Sequence, residues 1–172
     1  VMIRSIDEGK TWSESGISIN HNLTSSVASF GAIAVAGNSG TVLLMNEGQW
    51  FDVSHPVINS DFKDIALTGN NSFVVISESS IMTCIVSEGG GTDWDYVDSS
   101  LSGGDLHSIS FLDSENGLIS GENGTILASS DGGSTWDYRD APSEVSSSTI
   151  VDIEYHSTIR AYAITDEGHI LK

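Results

Sequence analysis

The octets Ser5-Ile6-Asp7-Glu8-Gly9-Lys10-Thr11-Trp12 and Ser129-Ser130-Asp131-Gly132-Gly133-Ser134-Thr135-Trp136 repeat one pattern, Ser-x-Asp-x-Gly-x-Thr-Trp, far apart in the chain. A carboxylate set between two hydroxyls invites a reading as a duplicated active site or a tandem binding site. A third reading needs no ligand. The Asp carboxylate accepts hydrogen bonds from backbone N–H groups of its own turn, and Gly9 and Gly133 adopt a positive φ closed to most side chains. The tryptophan then buries a large ring while its N–H seeks a partner. The other reactive residues form no competing centre. The histidines at 21, 55, 107, 156 and 169 show neither i, i+4 pairing nor metal-type spacing. No Gly-x-Ser-x-Gly elbow is present, and the one cysteine, Cys84, lies in the apolar run "IMTCIV", as expected of a buried core thiol. "DSENG" at 113–117 lacks the length and terminal glutamate of a calcium loop and reads as a β-turn. No catalytic residue, metal site or cofactor is assigned.

The 172 residues suffice for one domain with its own core. There are 24 acidic and 6 basic residues, a formal charge of −18, although only 17% of the chain is charged. Such a surface repels phosphates, so nucleic acid and anionic membrane surfaces are poor partners, while cations, basic proteins or a salty exterior suit it. No apolar stretch approaches the ~20 residues of a spanning helix, so no membrane insertion is expected.

The elements that must carry the octets come from an internal repeat. Trp12, Trp50, Trp94 and Trp136 stand 38, 44 and 42 residues apart. Aligned on them, Gly37 and Gly40 correspond to Gly121 and Gly124, and "SFVVIS" falls in phase with "AIAVA" and "GLISG". Each repeat reads as four short strands: an alternating first ("HSISF", "VDIEY"), a continuously apolar second, a third after Gly-x-x-Gly ("TVLLM", "TILAS"), and a fourth at the tryptophan ("WFDVS", "WDYVD"). Gly, Asn, Asp and Ser clusters separate them. The serine-rich "APSEVSSST" at 141–149 reads as a connecting loop. Four-stranded units at a period near ~42 residues describe the blades of an all-β, antiparallel β-propeller. The repeats run approximately over 1–24, 25–57, 58–103, 104–142 and a partial 143–172, within a single domain or an arc of a larger propeller.

The octets fit the pattern of the Asp-box, or bacterial neuraminidase repeat, which places Ser5, Asp7, Gly9, Thr11 and Trp12, and Ser129, Asp131, Gly133, Thr135 and Trp136, in hairpins between third and fourth strands. "SEGGGTDW" at 87–94 and "MNEGQW" at 45–50 are worn copies. That wear favours a structural turn over a binding motif. The segment "LHSISFLDSENGLISGENGTILASSDGGSTWDYRDAP" at 106–142 resembles a blade of the propellers related to the photosystem II assembly and stability factor. The resemblance implies a non-enzymatic propeller that docks other proteins. Asp-box propellers also include sialidases and xyloglucan-cleaving glycosidases. Arg4, Arg139 and Arg160 lie in unlike positions and are not expected to converge as a sialidase arginine set would. A facing carboxylate pair stays open among so many acids.

Propeller topology puts the connections into first strands and those between second and third strands on one face. His21, Asp61, Asp105, His107, Glu122, Glu144, Asp166 and Glu167 would form an acidic rim there, the candidate binding face. The Asp-box turns would point to the opposite edge. The expected function is that of a non-catalytic protein-interaction or structural module, extracytoplasmic or in a virion assembly. Its partner is a protein or larger assembly. A glycoside hydrolase or glycan-binding propeller is the alternative.

Overall fold

A computed structural model describes residues 3–14, 19–97 and 103–172; residues 15–18 and 98–102, parts of two expected connections, lie outside them. Four antiparallel blades of three or four strands are arranged as a β-propeller. β3 (Leu23–Ser29), β4 (Ala32–Gly37), β5 (Val42–Asn46) and β6 (Gln49–Asp52) form the first complete sheet. β7 (Phe62–Leu67), β8 (Ser72–Ser77), β9 (Ile81–Val86) and β10 (Thr92–Val97) form the second. The third comprises β11 (Leu106–Phe111), β12 (Asn116–Gly121), β13 (Ile126–Ser130) and β14 (Asp137–Tyr138). β15 (Ile150–Ser157), β16 (Arg160–Thr165) and β17 (Ile170–Leu171) make a three-stranded sheet. β1 (Ile3–Arg4) and β2 (Ser13–Glu14) pair ahead of the first complete blade, in the places of third and fourth strands. The connecting loop at 141–149 contains one 3-10 turn, Ser143–Val145.

Alternation along a strand sends neighbouring side chains to opposite faces of a sheet. In β8, Phe73 and Val75 join the core shared with the preceding blade, whereas Val74 and Ile76 join the core shared with the next. This explains why a second strand reads as an unbroken apolar run: neither face of its sheet meets solvent. Leu44, Phe62 and Ile65 fill the first interblade core, Ile109, Ile119, Leu127 and Trp136 the second. A smaller third core holds Ile150, Ile153 and Ala163. Each buried Leu, Ile or Phe among them contributes about 1.5–3 kcal/mol by leaving water. Cys84 lies in the first core, where burial pushes its thiol up to about 12.

All four innermost strands carry a bulge at the same place, with the register shifting between Leu23 and Ser25, Phe62 and Asp64, Leu106 and Ser108, and Ile150 and Asp152. A bulge re-aims the side chains beside it, and here Ser25, Asp64, Ser108 and Asp152 form a hydrogen-bonded ladder from blade to blade. Ser25 Oγ donates to Asp64 Oδ1, and Ser108 Oγ lies 2.8 Å from Asp152 Oδ1 and 3.2 Å from Asp64 Oδ2. Ile109 N–H donates to Asp64 Oδ2 at 2.9 Å.

At the same end of the sheets, beside the bulges, the Gly-x-x-Gly turns grip neighbouring connections. A Cβ on Gly37 would overlap the Asn22 carbonyl of its own blade's entry, and one on Gly40 the Ile58 carbonyl of the next blade's entry. Gly121 and Gly124 stand likewise against Asp105 and the Val145–Ser146 backbone. Ser39 and Gly40 both have positive φ, as do Asn123 and Gly124, which is the geometry of a type I′ turn. Gly48 also has a positive φ, of 79°, but open space around it. Gly48→Ala is therefore expected to lower stability by about 1 kcal/mol, the conformational cost alone. Gly40→Ala should lose roughly 2–4 kcal/mol, because the added methyl also forces two connections apart. Urea denaturation of both variants checks this, and equal losses would contradict the clamp.

Candidate functional site

The two octets fold into the same hydrogen-bonded hairpin. In the first, Ser5 Oγ donates to Asp7 Oδ1 at 2.8 Å and accepts from Gly9 N–H at 2.8 Å. Asp7 accepts from Thr11 N–H at 2.8 Å and from Thr11 Oγ1 at 2.6 Å, while Trp12 Nε1 donates to the Gly9 carbonyl at 3.1 Å. In the second, Ser129, Asp131, Gly133, Thr135 and Trp136 repeat every one of these bonds within 0.2 Å. Gly9 and Gly133 have φ of 83° and 90°. All five shared residue types are therefore accounted for by the turn itself. Hydrogen bonds from the Thr11 side chain and backbone, then from Ser5, hold the Asp7 carboxyl below its ordinary value. Burial works against the charged form of Asp131, but hydrogen bonds from Thr135 and Ser129 together outweigh it, so this carboxyl is also lowered.

The hairpins differ in what surrounds them. Trp136 is 4% exposed, sealed between the second and third blades with Phe111 edge-on at 5.9 Å, whereas Trp12 is 60% exposed. The worn copies use other turns. Glu47 and Gly48, both at positive φ, close a two-residue hairpin between β5 and β6. Ser87 N–H donates to the Gly91 carbonyl at 2.7 Å in the other. Trp94 still packs against Phe73 and His55 at 5.3 and 5.5 Å.

Asp131→Ala is expected to cost about 1 kcal/mol by orphaning the Thr135 donors. A carboxyl lowered on folding contributes stability that is present above its ordinary value of 3.8 and is lost as pH falls through the folded value. Melting temperature should therefore drop below about pH 4, less steeply in Asp131→Ala, as thermal scans across pH can check. Trp136→Ala should lose roughly 3–5 kcal/mol and Trp12→Ala much less, a contrast that urea denaturation reads directly.

The residues expected on the acidic rim lie along one edge, where backbone and side-chain hydrogen bonds tie each turn to a connection. Asp61 Oδ1 accepts from Ser39 N–H at 3.0 Å, and Asp166 Oδ1 from Thr149 N–H at 3.1 Å. Glu122 Oε2 accepts from Asp105 N–H at 3.4 Å, and Glu167 Oε2 from Ser148 Oγ at 3.2 Å. Glu144 pairs with Ser143 beside it, and His21 is exposed just ahead of β3. His107 differs: it is the bulged residue of β11, half-buried, with a shielded Nε2.

Two of the three arginines do converge. Arg139, just beyond β14, and Arg160, opening β16, line one cleft of about 660 Å³ between the third and fourth blades, together with Lys172. Unlike positions in the repeat meet here because adjacent blades face each other across it. Leu118, Ile126, Ile153 and Tyr155 supply its apolar and aromatic wall, and Asp140 is the one acid among its lining residues. Lys10 and Lys63 are paired with Glu8 and Glu78 at 3.5 and 2.9 Å; among the described residues, Arg139, Arg160 and Lys172 have no such pair. Burial pushes the Tyr155 hydroxyl up, Asp113 adds to that and the Arg139 guanidinium opposes it, so Arg139 stands within electrostatic reach of this ring. The sequence signal for this cleft was present in principle: half of the six basic residues gather at it.

Stacked four-stranded sheets with Trp-closed outer hairpins define a β-propeller of repeat type. Residues 87–172 match the family model described as Photosynthesis system II assembly factor YCF48, which is half of the chain, and the protein belongs to that family. No curated protein matches the sequence. Among solved structures, "YCF48 bound to D1 peptide" is 18% identical, over 98% of this chain and 56% of that one, with a TM-score of 0.69. YCF48 from Cyanidioschyzon merolae is 14% identical over 90% of this chain and 51% of that one, with a TM-score of 0.65. The computationally designed Ika4 protein is 12% identical over 90% and 91%, at 0.67. The chain thus spans about half the length of the two YCF48 propellers.

Proposed function

We propose that this propeller is a non-catalytic docking module whose seat for a polypeptide is the cleft between the third and fourth blades. One observation carries the reading: a chain of net charge −18 brings Arg139, Arg160 and Lys172 around one apolar, tyrosine-walled cleft. Cations without carboxylate partners beside aliphatic and aromatic side chains suit a segment that alternates carboxylates with apolar residues. A YCF48 propeller bound to a D1 peptide supports a peptide as the class of ligand. The acidic rim serves as a buttress, since its carboxylates accept hydrogen bonds from neighbouring loops. The lysine-poor surface suits a place in a secreted or virion assembly.

Tyr155 also favours a second reading, a glycan stacked in the same cleft. Fluorescein-labelled peptides carrying Glu, Gln or Lys between leucines separate these, with an oligosaccharide array run alongside. The Glu peptide is expected to bind, more weakly as salt rises. Arg139→Gln with Arg160→Gln should weaken it about tenfold or more at unchanged melting temperature. Preference for the Lys peptide, or indifference to the double variant, overturns the proposal; saccharide binding without peptide binding favours the glycan.

A further inference from the structure

The spaces between complete blades are closed differently at their outer ends. Between the second and third blades the intact octet docks on its neighbours. Gly132 N–H donates to the Glu115 carbonyl at 3.0 Å, and a Cβ on Gly133 would stand 2.7 Å from Val74 Cγ2. Between the first and second blades the worn copy at 87–94 stands off instead. It is tied to the turn before β8 by Val86 N–H on the Asn71 carbonyl and by Asn71 Nδ2 on the Val86 carbonyl, at 2.8 and 2.9 Å. Beyond that anchor, a Cβ on Gly89, Gly90 or Gly91 would meet nothing within 4 Å. The shielded Trp94 Nε1 lacks the carbonyl that Trp136 Nε1 finds at 2.9 Å.

A cleft of about 550 Å³ occupies the space so left. β5, β6 and their hairpin form one wall, and the turns at 70–71 and 86–90 form the other. Both walls belong to complete four-stranded blades, and β1, β2 and β15–β17 contribute no described residue. Leu44 and Val86 supply buried apolar surface, and Phe51, 37% exposed, stands with them. Asn46, Asn70 and Asn71 bring primary amides to the same cleft, a group that both donates and accepts. Glu47 on one wall and Glu88 on the other are exposed, and among the described lining residues there is no Lys, Arg or His.

The geometry points to a saccharide site in this cleft, separate from the peptide seat between the third and fourth blades and specific for neutral or N-acetylated oligosaccharides. Sugar hydroxyls donate and accept at once, which amides and carboxylates answer together. The C–H face of a sugar ring is covered by an aromatic ring and aliphatic side chains. Concave sites that join apolar surface to a few convergent polar groups are the usual seats of small ligands, and the volume is in their range. Glu47 and Glu88 accept from hydroxyls but repel sialic and uronic acids. A cationic side chain would satisfy these carboxylates and leave the amide donors unanswered. Wear of the octet thus opens a site that the intact octet of the third blade keeps closed.

A printed array of neutral, N-acetylated, sialylated and uronic-acid oligosaccharides tests this, with calorimetry on the best-bound sugar. Neutral or N-acetylated sugars are expected to bind, sialylated and uronic-acid ones not, and added salt should change nothing. Phe51→Ala and Asn70→Ala should each weaken binding about tenfold, with circular dichroism melts confirming that both variants are folded. Arg139→Gln with Arg160→Gln should leave the sugar affinity unchanged, so that failure here and failure of the peptide seat are told apart. Absence of binding to any neutral or N-acetylated sugar overturns the inference. So does binding that survives both cleft variants, or that is lost with the two arginines, which places the sugar between the third and fourth blades. Displacement of the sugar by the leucine-flanked Lys peptide in low salt alone assigns the cleft to a cationic side chain and overturns it as well.

Discussion

Packing of one sheet against the next is the interaction on which the rest depends. Val74 and Val75 are chain neighbours, yet they belong to different cores, and neither core exists until another blade is in place. A single four-stranded sheet of this composition would expose an apolar face on each side. Stability is consequently held in the spaces between blades, as in other repeat architectures. The third core, built on Ile150, Ile153 and Ala163, is the smallest.

Polar chemistry follows from that packing. Once sheets stack closely around an axis, their innermost strands and their connecting loops are forced together, and every buried N–H or carboxylate in those places needs a partner. Near the axis, the bulges turn Ser and Asp into mutual partners. At the rim, glycine lets two backbones touch, and Asp or Glu accepts N–H groups left over by the turns. A charge of −18 is tolerated partly because so many acids are tied into such local acceptor roles and spread over the molecule, although self-repulsion remains.

The fold was legible because its signals are periodic. Four tryptophans and the paired glycines gave the blade, and apolar second strands gave burial on both sides. The octet chemistry was equally readable, since its bonds run within eight consecutive residues. What escaped the sequence depends on contacts between blades. Thr24, Lys63, His107 and Val151 share no residue type that would announce a bulge. Arg139 and Arg160 occupy different strand positions and meet only because one blade's outer strands face the next blade's second strand. Exposure of Trp12 against burial of Trp136 likewise reflects the neighbour, not the motif.

The self-containment of the octet has an evolutionary consequence. Its donors and acceptors are satisfied within the hairpin, so losing them in one blade leaves no unmatched group in another. The turn at 45–50 could shrink to Glu47-Gly48, and that at 87–94 could become glycine-rich, without a compensating change elsewhere. Interblade contacts have no such freedom, because Asp64 answers to residues in two neighbouring blades at once. Drift should therefore erase the outer hairpins first and the axial Ser–Asp alternation last, which makes the inner strands the better record of how these blades were duplicated.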